Sequence, residues 1–175
     1  EHSSVLPLPG AFAPAGSPLW KLSGSARQLG GALELTGGGQ FQAGAAFLSA
    51  PVSSAGMRVD FDAALGGGTG GDGLTLVLAD PARTSGDAPG ASGIGLGQVG
   101  IPGVAIGLDT VLNPGDPGTE FLGISNGPAE SGGPAWSASA LGVGPIRNQT
   151  RRVTVRVLGG VATSLMDGRT VLVAP

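Results

Sequence analysis

Apolar residues come along this chain in short runs, each closed off by glycine, proline or polar residues. Residues 57–65 (MRVDFDAAL) place Val59, Phe61 and Ala63 on one face and Arg58, Asp60 and Asp62 on the other. A period of two marks a strand with one face solvated. Residues 32–36 (ALELT) alternate in the same way, whereas 45–52 (AAFLSAPV) and 74–78 (LTLVL) are continuous and predict strands largely buried on both faces. Further strands are predicted at 104–108, 121–124, 136–141 and 153–158. Residues 161–166 and 170–173 flank Asp167-Gly168, and Asp-Gly between apolar runs signals a tight hairpin. Residues 6–12 would form a first strand, but Pro7, Pro9 and Pro14 confine it to a sheet edge or an extended arm. The pattern predicts about ten or more strands, no helix and no internal repeat. Many short strands with Gly/Pro punctuation read as an all-β antiparallel sandwich or barrel.

Composition changes that picture little and closes several routes to chemistry. Glycine and proline supply 35 and 14 of the 175 residues, a share that elsewhere accompanies low-complexity disorder. Here 41% of residues are hydrophobic, and the glycines sit between the apolar runs, where turns need them. The length suits one domain with a sizeable core. There is no cysteine, and the one histidine, His2, lies in a terminal tail. Disulfides, thiolate metal sites, zinc centres and Ser-His or Cys-His catalysis therefore lack their parts. The net charge is −3, and Arg147, Arg151, Arg152 and Arg156 fall at strand spacing, as on a solvated sheet face. Nucleic acid is not an expected partner. No run reaches the roughly 18 apolar residues of a membrane span, and no signal peptide is visible.

One stretch still offers chemistry. Residues 100–127 hold an apolar run, a loop carrying Asp109, Asn113 and Asp116, and a second apolar run. Two strands joined by a loop of oxygen donors suit a hard cation such as calcium, which takes carboxylate, amide and backbone oxygens. On composition alone, residues 113–117 (NPGDP) are equally a turn-forming string, Asp72-Gly73 a turn before a strand, and 93–97 a flexible loop.

Taken in order, the segments 20–26 (WKLSGSA), 45–51 (AAFLSAP), 70–78 (GGDGLTLVL), 92–97 (SGIGLG), 104–110 (VAIGLDT) and 122–124 (LGI) resemble the legume-type (L-type) lectin family, specifically its bacterial members. The resemblance covers residues 15–175, leaving 1–14 as an N-terminal arm or edge strand. It implies a concanavalin A-like jelly-roll sandwich that binds glycans without catalysis, in a secreted or cell-surface protein with an adhesive role. It also implies one calcium ion, held by Asp109, Asn113 and Asp116 and by the backbone carbonyl of Val111. Asp72, entering through a cis peptide after Gly71, would accept two sugar hydroxyls. A backbone N–H of Gly93 or Gly95 and the amide of Asn113 would donate to the same sugar.

Three departures from that family pattern shape the expectations. The glutamate and histidine of the family's transition-metal site are replaced by Gly107 and Phe121, which leaves an all-oxygen site and favours calcium alone. Glu120 is expected to point away from Phe121. Val111 stands where a stacking aromatic is common, so Trp136 becomes the candidate ring, with a core position as its other reading. The family's last strands have no counterpart after Pro175, so the sandwich is expected to be incomplete at its C-terminus. It would then be a fragment, or be completed in a homo-oligomer or by a strand-exchanging neighbour, with residues 5–14 as a donor arm. The alternative function is a structural or adhesive surface, filament or virion subunit that keeps the sandwich without sugar binding. A glycoside hydrolase would need a second carboxylate that residues 107–113 do not supply.

Overall fold

The computed structural model describes residues 19–68, 71–87, 93–126 and 133–175. The predicted strand at 6–12 and the donor arm lie outside them. Twelve strands are present among the described residues: β1 (Trp20–Gly24), β2 (Arg27–Leu29), β3 (Ala32–Glu34), β4 (Gly44–Leu48), β5 (Met57–Leu65), β6 (Gly73–Ala79), β7 (Gly103–Asp109), β8 (Phe121–Asn126), β9 (Trp136–Ala140), β10 (Gln149–Leu158), β11 (Val161–Met166) and β12 (Arg169–Ala174). Among the described residues helix is confined to a single 3₁₀ turn, Gly93–Gly95.

Two four-stranded antiparallel sheets form the sandwich, in the orders β6-β7-β8-β9 and β12-β11-β10-β5, with the small pairs β1-β4 and β2-β3 beside them. Ile106, Leu108, Leu122 and Ile124 of the first sheet meet Ala63, Val153, Val155, Ala162, Met166 and Ala174 of the second. The alternation in β5 survives intact: Ala63 is buried and Val59 and Phe61 half-buried, while Arg58 and Asp62 are exposed. On the outer face Asp62 pairs with Arg152, and Asp60 accepts hydrogen bonds from Arg58 and from Thr154, the latter at 2.6 Å. Of the predicted Arg cluster, Arg152 and Arg156 are exposed on this face and Arg152 is ion-paired there, whereas Arg151, its side chain 12% exposed, alternates to the other face, pairing with Asp167 and donating to the Pro145 and Val143 carbonyls. The Asp-Gly hairpin forms between β11 and β12 with φ of 50° at Asp167 and 80° at Gly168, the pair of positive values that a two-residue I′ turn needs.

Two strands are less buried than their apolar runs predict. β6 is half-buried along most of its length because it is an edge strand, paired only with β7. β4 stops at Leu48, short of Pro51, and pairs only with β1.

The sheet β6-β7-β8-β9 is covered on both sides. Leu108 and Leu122 point into the sandwich, so the alternate residues Ala105, Gly107, Asp109, Phe121, Gly123 and Ser125 face outward, yet all six are buried. The segment 93–103 lies over part of this outer face. The Thr75 hydroxyl donates to the Leu96 carbonyl at 2.7 Å, and Leu96 and Ile101 are 6% and 2% exposed.

Candidate functional site

β6 begins where β7 ends. Gly73 pairs with Asp109, so the residue before β6 and the loop after β7 leave the sheet side by side. Asp72 is fastened at that corner through its carbonyl, which accepts from the Thr110 N–H at 2.9 Å and the Thr110 hydroxyl at 3.0 Å. The Gly71–Asp72 peptide is cis. The Asn113 side chain lies beside the Asp72 carboxylate and favours its charged form. A Cβ on exposed Gly93 would lie 3.6 Å from Asp72 Oδ2, so bare backbone faces the carboxylate there.

The loop after β7 is shaped by its own backbone. Asn113, Pro114, Gly115 and Asp116 close a turn, with the Asp116 N–H donating to the Asn113 carbonyl at 3.1 Å. Proline at the second position and glycine at the third, with φ of 98°, match a type II turn. Asp116 Oδ2 accepts the Asn113 N–H at 2.7 Å, and Asp109 Oδ1 accepts the Val111 N–H at 2.9 Å. Asn113 Nδ2 lies 3.5 Å from the Val111 carbonyl, a long contact.

The electrostatics are one-sided. Asp109 is 2% exposed, and burial pushes its carboxyl up to about 7, with the charges of Asp116 and Asp72 adding to the rise against the Val111 and Thr110 N–H groups. Burial also raises Asp72, helped by the charge of Asp116 and opposed by the Asn113 side chain. Among the described residues the salt bridges join Arg27–Glu34, Arg58–Asp60, Arg151–Asp167 and Arg152–Asp62, so none brings a cation here. Three carboxylates share one corner without a positive partner. That is the charge deficit a bound cation fills, and the donors are all hard oxygens. Among the described residues no three His, Cys, Asp or Glu side chains converge to hold a metal unaided.

Trp136 closes the side of the site. Its indole N–H donates to Asp116 Oδ1 at 2.8 Å. Its ring lies on Gly107 and Gly123, which pair directly across β7 and β8, and meets Phe121 edge-on with centroids 5.1 Å apart. A Cβ on Gly107 would fall 2.6 Å from the ring, and one on Gly123 2.3 Å from it. Gly107 and Phe121, where the transition-metal ligands were expected to be missing, thus form the floor and wall of an aromatic pocket.

Most of the residues singled out from sequence are neighbours here. Asp72, Asp109, Val111, Asn113 and Asp116 form one cluster with Gly93 at its edge. Gly95 is buried, and its carbonyl accepts the Gln98 N–H at 2.8 Å, so Gly93 is the glycine that meets Asp72. Trp136, half-buried, lays one face of its ring on Gly107 and Gly123 and meets Phe121 edge-on, so it packs against the sheet while its indole N–H reaches Asp116. The Glu120 carboxylate accepts the N–H groups of Ile146 and Arg147 at 3.2 and 3.1 Å, which takes it away from the cluster. Thr110, which anchors Asp72, carried no sequence signal beyond its place after β7.

The sandwich has the lectin-like fold of several solved L-type lectin structures. Solved structures similar to the chain include the exoplasmic/lumenal domain of VIP36 bound to Ca2+ and mannose, at 17% identity and TM-score 0.67, covering 90% of this chain and 70% of that one. The lectin I-B4 of Griffonia simplicifolia in its metal-free form aligns at 20% identity and TM-score 0.67, covering 93% and 79%. The carbohydrate recognition domain of Emp46p in a potassium-bound form aligns at 15% and 0.58, covering 89% and 72%. No protein-family profile and no curated protein sequence matches the chain.

Proposed function

We propose that this chain is a non-catalytic, calcium-dependent glycan-binding domain of a secreted or surface protein, with Asp72 at the centre of its sugar site. The observation that carries the reading is the position of Asp72, whose carboxylate stands between the Asn113 amide and the bare backbone of Gly93. A carboxylate accepting from two adjacent hydroxyls, flanked by two N–H donors, is the complement of a sugar's vicinal diol. Asp109 and Asp116, the Asn113 side-chain oxygen and the Val111 carbonyl would hold the calcium ion. When bound, the ion neutralises the three carboxylates and fixes the Asn113 side chain, so that the sugar meets a donor already in place. Leu112, 60% exposed beside Val111, would give the site an apolar rim in place of an aromatic ring. The resemblance of the sequence to bacterial L-type lectins is in keeping with this reading.

Mannose-bearing glycans are the first probes, because VIP36 is described in mannose-bound form. Asp72→Asn, which keeps the shape but loses the anionic acceptor, is expected to reduce glycan-array binding at least tenfold with an unchanged melting temperature. Undiminished binding by a folded Asp72→Asn protein would overturn the proposal and favour a structural subunit that keeps only the sandwich.

A further inference from the structure

Asp116 stands on an irregular loop, and nothing in its own turn fixes the rotation of its carboxylate about both oxygens. Oδ2 takes the Asn113 N–H at 2.7 Å from within the turn, whereas Oδ1 takes the Trp136 indole N–H at 2.8 Å from a different strand. Trp136 lies 20 residues further along the chain and reaches this face because the β8-β9 register shifts between Ile124 and Ser125. Its ring is wedged between the paired glycines Gly107 and Gly123 and the edge of Phe121, which is fully buried. The indole therefore comes from the rigid sheet, and this bond ties the loop to it.

We infer that Trp136 is a positioning residue for the cation site, its indole N–H presetting the carboxylate plane of Asp116 so that the outward lone pairs face the ion. The inference rests on the calcium reading above. Hydrogen-bonded partners behind a metal ligand typically set affinity by 10–100-fold. A donor to an ionised carboxylate is among the stronger hydrogen bonds, and a half-buried ring packed on Gly107, Gly123 and Phe121 holds it at little further ordering cost. Because the same bond joins the ion's ligand to a fluorophore through its indole N–H, ion binding has a spectroscopic signature at Trp136.

The test titrates calcium chloride into the wild-type chain and into Trp136→Phe by calorimetry, and follows the two indole N–H resonances of the ¹⁵N-labelled wild type. The phenyl ring keeps part of the apolar filling over Gly107 and Gly123 and removes the donor. The expected result is a calcium dissociation constant at least tenfold higher in Trp136→Phe, with an unchanged sandwich by circular dichroism. The Trp136 indole resonance is expected to shift on calcium addition with the wild-type affinity while that of Trp20 stays put. Equal affinity in the two proteins, or a Trp136 signal unmoved by saturating calcium, overturns the inference while leaving the calcium reading intact. If Trp136→Phe does not fold, the resonance shift in the wild type decides alone. A wild type that binds no calcium overturns both.

Discussion

Gly123→Ala is expected to lower the melting temperature by roughly 6–12 °C. The added Cβ would stand 2.3 Å from Trp136 Cε3 and within 2.9 Å of two further ring atoms. Gly107 of β7 lies under the other end of the indole and Phe121 against it, so making room means lifting the ring off the sheet and away from Asp116 and Phe121. Overpacking a tight site costs about 1–3 kcal/mol, and a rigid, wedged ring puts this case near ~3. In a domain of this length each kcal/mol moves the midpoint by about 2–4 °C. Gly31→Ala, where a Cβ meets nothing within 4 Å, is the control and should change stability by no more than about 0.5 kcal/mol. Removing the ring removes the conflict, so Gly123→Ala introduced into Trp136→Ala should cost far less than in the wild type. A Gly123→Ala protein as stable as the wild type would mean that the indole does not occupy this pocket.

The second large effect is the response to calcium. At a hundredfold excess over its dissociation constant, a ligand that binds only the folded state stabilises by about 2.7 kcal/mol. The melting temperature should therefore rise by roughly 5–11 °C on adding calcium and fall back with EDTA. Asp109→Asn is expected to abolish that rise. The two proteins should differ in the opposite sense without metal. Asp109 is buried beside Asp116 and Asp72 with no cation, so holding it charged is costly, and the asparagine oxygen still accepts the Val111 N–H. In EDTA the variant should be at least as stable as the wild type. A calcium-induced rise that persists in Asp109→Asn would remove Asp109 from the ligand set.

Much of the fold was legible because period-two alternation and turn chemistry are local. The faces of β5 and the Asp167-Gly168 hairpin follow from adjacent residues alone. The grouping of Asp109, Asn113 and Asp116 was equally readable, since all three lie in one loop closed by Pro114 and Gly115. Asp72 joins them through the pairing of Gly73 with Asp109, a long-range register that sequence suggested only through family resemblance. The role of Trp136 was not legible. It depends on a bulge in β8-β9 and on two glycines 16 residues apart becoming direct partners, and neither has a local signature. The exposure of β4 and β6 was missed for a related reason. An apolar run reports what a strand can bury, whereas burial is set by how many neighbours pair with it.

If calcium organises the Asp72 corner, the chain binds glycan only while the ion is present. The most direct measurement is binding of the wild-type chain to an array of mannose-bearing glycans in calcium, after EDTA, and after calcium is restored. Binding is expected in the first and third conditions and its loss in the second. Glycan binding that survives EDTA, or no glycan binding by a chain that demonstrably takes up calcium, would contradict this reading.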